Sequence, residues 1–440
     1  MRNMPRTTLQ NVVCTFCASG CDNLEITYDG RIVDSARNGC AISVSRFTTA
    51  DESRILKPLV RRGEKLRPTT FTRAIDRAAR ILINAKYPLL YGWSQTSCEA
   101  ISKGIELAEL VGGIVDNTTT SCHGPTILGV QDAGEATCTL GEVRHSADLV
   151  IYWACNPVHS HPLHMNRYTI FSEGRFRKTR KDRELIVVDV RKTDTAKLAD
   201  RFIQIQPNGD YELLTALRTA INGEEIEQDS VAGVPVETIE EIADMMMECE
   251  FGALFFGLGL TMTMGKHRNT EAALTLVRDL NYVTKFVVVP MRGWFNVTGA
   301  NEVSTWQTGY PYAVDLTQGY PRFNPGDTSA IDALARGEVD AALVVASDPV
   351  SHFPRAAVKN LLEIPIVTVE PKRTPTSDAS EVVIPSAIIG VEAAGTIYRI
   401  DGVALEAKKV IEPPLGVRTD EEILDAIIKR VKKMGRDADG

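Results

Sequence analysis

No uncharged apolar run in this 440-residue chain reaches the ~18 residues that a membrane-spanning helix needs. The longest candidate, 251–260, has the length of one buried strand with its turn. The basic stretch 1–10 has no apolar core behind it, which excludes a secretory signal of the usual form. A basic block is missing too, and the net charge is −8, which argues against general affinity for nucleic acid or anionic membrane. No repeat of fixed period and no low-complexity tract stands out. The chain is therefore expected to be cytoplasmic. Nine cysteines is an odd number for a disulfide framework, and a chain of this size does not need staples to fold.

What is present is ordinary in bulk and uneven in detail. Hydrophobic residues make up 44% and charged residues 24%, as in soluble globular proteins, and the length suggests two to four domains. Residues 24–33 read as a hairpin turning at Asp29-Gly30, the basic stretch 57–67 as a linker, and 72–85 as an amphipathic helix. Beyond it, strand-length apolar runs at 88–91, 149–153, 185–190, 202–205, 253–258, 286–289, 341–345 and 366–369 alternate with helical patterns such as 99–110, 211–221, 269–280 and 330–335. That alternation predicts an α/β fold with several parallel, doubly wound sheets covered on both faces. Residues 420–440 read as an amphipathic helix with a charged, frayed end.

Ligands bind such sheets at the carboxyl ends of strands where strand order reverses. Several predicted strand ends are rich in small and polar residues: Gly92 and Ser94, Asn156, Asp189 and Thr193, Gly257 and Gly259, Ser347 and Asp348, and Glu370. One such loop is ordinary; their recurrence suits a large ligand with phosphates and ribose hydroxyls.

Four cysteines fall within the first 40 residues, as Cys14-x2-Cys17-x3-Cys21-x18-Cys40. Structural zinc sites usually come as two close pairs. Three ligands within eight residues and a distant fourth favour an iron–sulfur cubane over zinc, with unliganded thiols as the remaining alternative. Gly20 and Gly39, each preceding a cysteine, permit tight backbone. Cys98, Cys138, Cys155 and Cys249 read as packed thiols. His159, His161 and His164, near Cys155, read as a surface or subunit contact.

Two further segments stand out: Thr118-Thr-Thr-Ser-Cys122-His123-Gly-Pro125, and Val289-Pro-Met-Arg292-Gly-Trp-Phe-Asn-Val-Thr-Gly299. Alone, each has a dull reading, a packed thiol beside a surface imidazole and a surface ion-pair arginine. Together with the cysteine quartet and Glu392-Ala-Ala-Gly395-Thr396-Ile-Tyr-Arg-Ile-Asp-Gly402, they resemble the molybdopterin oxidoreductases of the dimethyl sulfoxide reductase and formate dehydrogenase superfamily. Within it the resemblance is to the formylmethanofuran dehydrogenase B subunits, over nearly the whole chain.

The resemblance implies a [4Fe-4S] domain over 1–56, a molybdopterin-binding α/β region over 57–413 and a C-terminal helix or tail over 414–440. It implies a tungsten or molybdenum bis-pyranopterin guanine dinucleotide with Cys122 as protein ligand, His123 and Arg292 beside the metal, and Gly395 and Thr396 at the cofactor. The activity implied is reversible two-electron reduction of CO2 to formate. An arginine fork suits a carboxylate-like substrate, and an imidazole titrating near neutrality can move the accompanying proton. Implied partners are a metallo-amidohydrolase subunit that condenses formate with methanofuran, a β-helical subunit, ferredoxin or polyferredoxin electron donors, and a small β-barrel subunit. The last would supply a barrel for which this C-terminus is too short. Rival readings are a formate dehydrogenase chain, a subunit of a non-redox formyltransferase/hydrolase complex, and a zinc-stapled scaffold.

Overall fold

The computed structural model describes residues 6–438; the first five residues of the basic N-terminal stretch and the last two of the predicted C-terminal helix lie outside the described residues. Two compact units emerge. One contains the chain up to Ser121, Trp294–Arg399 and the chain from Ala404; the other contains Cys122–Gly293 and Ile400–Val403.

The second unit is built on five parallel strands in the order Arg201–Gln204, Glu184–Asp189, Leu149–Trp153, Phe251–Phe256, Lys285–Pro290. Their apolar runs are nearly continuous because helices cover both faces, and every residue of Leu149–Trp153 is buried. Helices Asp210–Ile221, Val236–Glu248 and His267–Leu280 pack their apolar faces on this sheet, around Trp153, Leu254, Phe256 and Phe286. Each fully buried side chain of this size contributes roughly 1.5–3 kcal/mol relative to exposure.

A nine-stranded sheet forms the core of the first unit. Its five central strands are parallel, in the order Ile114–Asn117, Pro88–Gly92, Ala341–Val345, Ile366–Glu370, Val382–Pro385. Helix Phe71–Asn84 starts where the Thr70 side chain accepts from the Arg73 N–H. Helix Cys98–Val111 is capped likewise by Ser97 and stops at Gly112, whose φ of 67° is left-handed. Both pack in one apolar cluster with helix Asp420–Ala438. A separate antiparallel sheet, Thr7–Val12, Leu24–Tyr28 and Val33–Arg37, contains the hairpin predicted at 24–33. Among the described residues the sheets stay open, and no barrel closes.

The basic stretch 57–67 is not a linker. Leu59–Arg62 and Lys65–Pro68 form a hairpin turning at Gly63 (φ 60°), and its first strand extends the sheet beside Val382–Pro385. Its charges suggested a solvated connection, but charged side chains are what an edge strand carries to block further pairing.

Strand order reverses once in each parallel array, between Pro88–Gly92 and Ala341–Val345 and between Leu149–Trp153 and Phe251–Phe256. The same turn stands at both places. Ala154 and Ala346 adopt left-handed φ of 50° and 49°, and Pro157 and Pro349 each open a short helix. Asn156 Oδ1 accepts from the Thr195 hydroxyl and N–H at 2.6 and 3.3 Å. Asp348 Oδ1 accepts from the Thr376 hydroxyl and N–H at 2.5 and 3.0 Å. The correspondence had no fixed sequence period, so it became visible only through these contacts.

Candidate functional site

In the first unit, Cys14, Cys17 and Cys21 lie in the loop between the first two strands, all buried. Cys40 caps helix Ala41–Thr48, its sulfur accepting from the Ser43 N–H at 3.4 Å, while the Cys14 thiol donates to the Ser43 hydroxyl at 3.3 Å. One serine thus touches two of the four cysteines. Burial pushes the Cys17 thiol up to about 11 and raises Cys14, and the charge of Cys40 acts on both. Neutral buried thiols are what a thiolate-binding centre would deprotonate on loading. Gly20 sits at φ +49° with Leu405 and Arg399 against the position of a Cβ, so a side chain there is strained. Gly39 is constrained by space instead, since a Cβ would lie 2.9 Å from the Ser43 hydroxyl. Among the described residues no three His, Cys, Asp or Glu side chains converge on a single metal-ion position; a cubane asks for thiols set apart at its corners. The donor set, four thiols of which two touch one serine, is of the soft kind such a cluster takes.

In the second unit, Cys122, His123 and Arg292 come together although 170 residues separate the first from the last. Cys122 stands directly before helix Gly124–Ala133, and its carbonyl accepts from the Thr261 hydroxyl at 2.9 Å. Burial pushes its thiol up to about 11, against the nearby Arg292 charge, which favours the thiolate. A soft thiol beside a fixed cation fits ligation of a soft, high-valent metal.

His123 is fully buried. Its Nδ1 faces the Thr126 hydroxyl at 3.0 Å and its Nε2 the Met291 carbonyl at 3.3 Å. A carbonyl only accepts, so Nε2 carries the proton and Thr126 donates to Nδ1. Burial, then the Arg292 charge, lowers its pKa to about 3. This corrects the expectation of an imidazole titrating near neutrality: the group is neutral, with both nitrogens occupied.

Arg292 follows strand Lys285–Pro290, and its carbonyl accepts from His161 Nε2 at 2.8 Å. His161 is buried with its pKa lowered to about 4 by burial, and His164, packed among Tyr152, Tyr168 and Phe255, is lowered by burial to about 3. Only His159 is exposed, 2.6 Å from Asp194. The reading of all three as a surface or subunit contact therefore holds for His159 alone, since His161 and His164 are turned inward. Sequence reasoning also missed Thr261 and Glu135, whose carboxyl is raised by burial and opposed by Arg292. Nothing in their local pattern marks them.

The strand-end residues form two groups. Asn156, Asp189, Thr193, Gly257 and Gly259 stand at the carboxyl ends of the second unit's strands. There the backbones approach so closely that a Cβ on Gly257 would lie 2.4 Å from that of Cys155, and one on Gly259 2.8 Å from that of Ala154. Asp189 accepts from the Arg191 N–H and Thr193 from the Ala196 N–H. Gly92, Ser94, Ser347, Asp348 and Glu370 stand at the corresponding edge of the first unit. Ser94 and Thr118 share a hydrogen bond of 2.5 Å. Gly395 and Thr396 begin a two-stranded hairpin; the Thr396 N–H donates to Glu99, and a Cβ on Gly395 would meet that of Ser97 at 2.5 Å. Both are thereby packed on helix Cys98–Val111.

Comparison with known proteins places this geometry. Residues 54–430 match the family model Molybdopterin oxidoreductase. The B subunit of the tungsten-containing formylmethanofuran dehydrogenase 2 of Methanocaldococcus jannaschii is 50% identical over 430 residues, covering 97% of this chain and 99% of the relative. The chain belongs to the molybdopterin oxidoreductases, among the formylmethanofuran dehydrogenase B subunits. It is an oxidoreductase, a molybdo- or tungsto-pterin protein and one component of a larger complex. Two solved structures share the fold. Acetylene hydratase from Pelobacter acetylenicus aligns at a TM-score of 0.72 with 15% identity, covering 96% of this chain and 69% of that one. A chain of the formyltransferase/hydrolase complex from Methylorubrum extorquens aligns at 0.68 with 20% identity, covering 86% and 99%. Among the described residues no helix is long and apolar enough to cross a membrane.

Proposed function

We propose that this chain is the catalytic subunit of a formylmethanofuran dehydrogenase and reversibly reduces CO2 to formate. The observation that carries the proposal is the assembly of Cys122, His123 and Arg292 at one place in the second unit. Cys122 would ligate tungsten or molybdenum held by two pyranopterin guanine dinucleotides, and Cys14, Cys17, Cys21 and Cys40 within segment 1–56 would hold a [4Fe-4S] cluster. Segment 57–413 would hold the pterin. The strand-reversal turn in each unit supports nucleotide-type binding there: Gly92, Ser94, Ser347, Asp348 and Glu370 would face cofactor in the first unit, and Asn156, Asp189, Thr193, Gly257 and Gly259 in the second, with Gly395 and Thr396 as framework in the first.

When bound, the pterin-held metal supplies the two-electron couple. This chain's residues bind and orient. Arg292 offers a guanidinium that never loses its charge to the oxygens of CO2 or formate. His123, fixed as the Nε2–H tautomer, holds the Met291 carbonyl, and His161 holds that of Arg292. The turn carrying the guanidinium is thus pinned from two sides, which places the cation without reorganisation during reaction. Thr261 anchors the backbone of Cys122. Glu135 is the protonatable group facing Arg292, and its raised pKa suits it to hold a proton there.

Formate would pass to a metallo-amidohydrolase partner for condensation with methanofuran, and ferredoxin or polyferredoxin chains would feed the cluster. A β-helical subunit and a small β-barrel subunit would complete the complex. Metal analysis of the purified complex tests the reading: iron together with tungsten or molybdenum is expected, with a low-temperature paramagnetic signal of a reduced cubane. Zinc without these metals would refute it.

A further inference from the structure

The first unit contains a cavity of about 80 Å3. Arg46 of helix Ala41–Thr48, Gln95, Ala346, Glu370, Ser386 and Asp420 line it, drawn from chain segments far apart in sequence. Of these, Glu370 is among the strand-end residues marked by the sequence.

Its polar lining is incompletely satisfied. Asp420 is 2% exposed; its Oδ2 accepts from the Thr96 hydroxyl at 2.5 Å, while its buried Oδ1, with the Ser386 side chain beside it, has no well-formed hydrogen bond. Glu370 is also buried and accepts from the Ser347 backbone. Burial raises both carboxyls, and the Asp420 charge raises Glu370 further. Opposite them, Arg46 leans over the Phe295 ring with its guanidinium 5.9 Å from the centroid, and its buried Nε has no partner. The Gln95 amide is already donated to the Ala346 carbonyl at 3.3 Å.

These requirements restrict the ligand. An anion would face two carboxyls, and a bare cation would face a guanidinium in a set too poor in oxygens for a hard metal. A neutral planar edge with two donors beside one acceptor answers all three groups, since carboxylates accept and guanidinium only donates. We infer that this cavity seats the 2-amino-4-oxopyrimidine edge of the pterin cofactor, with Glu370 and Asp420 accepting from the ring N–H and exocyclic amine and Arg46 donating to the carbonyl oxygen. Guanine shares that edge, so a guanine base is the other source of the same chemistry. The inference rests on the chain's being a pterin protein and not on its reducing CO2.

The test uses the full chain freed of cofactor, titrated with 6-carboxypterin by fluorescence. In parallel, 6-carboxylumazine carries an oxygen in place of the amine, and guanosine and inosine monophosphates test replacement of the amine by hydrogen on a purine. Carboxypterin is expected to bind at least tenfold more tightly than carboxylumazine, and Asp420→Asn and Glu370→Gln each to lower its affinity at least tenfold with circular dichroism unchanged. Tighter binding of guanosine monophosphate than of carboxypterin, with the same sensitivity to both substitutions and to loss of the amine, supports the edge and assigns it to the guanine end. If pterin and lumazine bind alike, if neither pterin nor guanosine monophosphate binds, or if both substitutions leave affinity unchanged, the inference is overturned. The pterin–lumazine contrast on the unsubstituted chain decides the matter even if a variant misfolds. A complex that reduces CO2 while its pterin affinity ignores Asp420 and Glu370 would overturn this inference alone.

Discussion

Removing either member of the buried ion pair between Arg54 and Glu392 should destabilise the first unit severely, whereas removing both should not. The pair is 2.6 Å apart and each side chain is 2% exposed. Arg54 also donates to the carbonyls of Pro371 and Ser386 at 2.9 Å each, and Glu392 accepts from the Ile388 N–H at 2.9 Å. Burial is the largest influence on both charges: it lowers the pKa of Arg54 and raises that of Glu392, with the partner's attraction second in each case. Desolvation therefore outweighs pairing, and the pair taken whole adds little stability. A single survivor has no compensation, and breaking such pairs costs about 3–5 kcal/mol. Arg54→Met and Glu392→Leu should each lose that amount in urea unfolding followed by circular dichroism. The double variant should lie within about 2 kcal/mol of the parent, the residual being the Ser386 carbonyl left without a donor and the Ile388 N–H left without an acceptor at about 1 kcal/mol each; the Pro371 carbonyl keeps the Ile55 N–H. Losses below about 1 kcal/mol in both single variants, or a double variant showing the sum of the two, would refute the reasoning.

Other consequences are as direct. Asp420 rises from its ordinary 3.8 to about 6 through burial, so the folded chain binds its proton more tightly than the unfolded one, and stability falls as pH rises from about 4 to 6. Without cofactor, the parent should lose about 3 kcal/mol relative to Asp420→Asn across that window; a pH-independent difference in urea midpoint would contradict this. His161→Phe deletes the donor to the Arg292 carbonyl and should lower CO2 turnover about tenfold, the worth of one hydrogen bond, with metal content unchanged. His161→Gln should recover most of the turnover, and equal losses in the two variants would remove the positioning role. Gly257→Ala places a Cβ 2.4 Å from that of Cys155 and should cost about 1–3 kcal/mol. Gly141→Ala, in helix Leu140–Ser146 with its nearest neighbour 3.6 Å away, should instead gain up to about 1 kcal/mol; thermal melts showing the same sign for both would contradict the packing argument.

The eight predicted strands are all found, because parallel strands buried on both faces are written as continuous apolar runs. Ile114–Asn117 and Val382–Pro385 were overlooked. The cysteine quartet, Cys122-His123 and Arg292 were legible because their residue types and spacing are rare together. Their supports were not. His161 looked like a loop histidine until the chain folded it onto the Arg292 carbonyl, and His123 titrates low only because burial and a cation 169 residues away act on it. Asp420 reads in sequence as one acid among three at a helix start; its burial against Thr96 depends on contacts across 324 residues. Gly395 and Thr396 were marked as cofactor residues through the resemblance; their packing against Ser97 and Glu99 is a contact that spacing does not encode.

Cys122 is the residue on which the proposed chemistry turns, and its substitution Cys122→Ala in the assembled complex probes it without an intermediary. CO2 reduction is assayed, with the iron held by the first unit's cysteines measured alongside. Loss of CO2 reduction with the iron retained is expected, since the quartet lies in segment 14–40 and Cys122 belongs to a different compact unit. CO2 reduction persisting near the parent rate would contradict the assignment of Cys122 as the metal ligand.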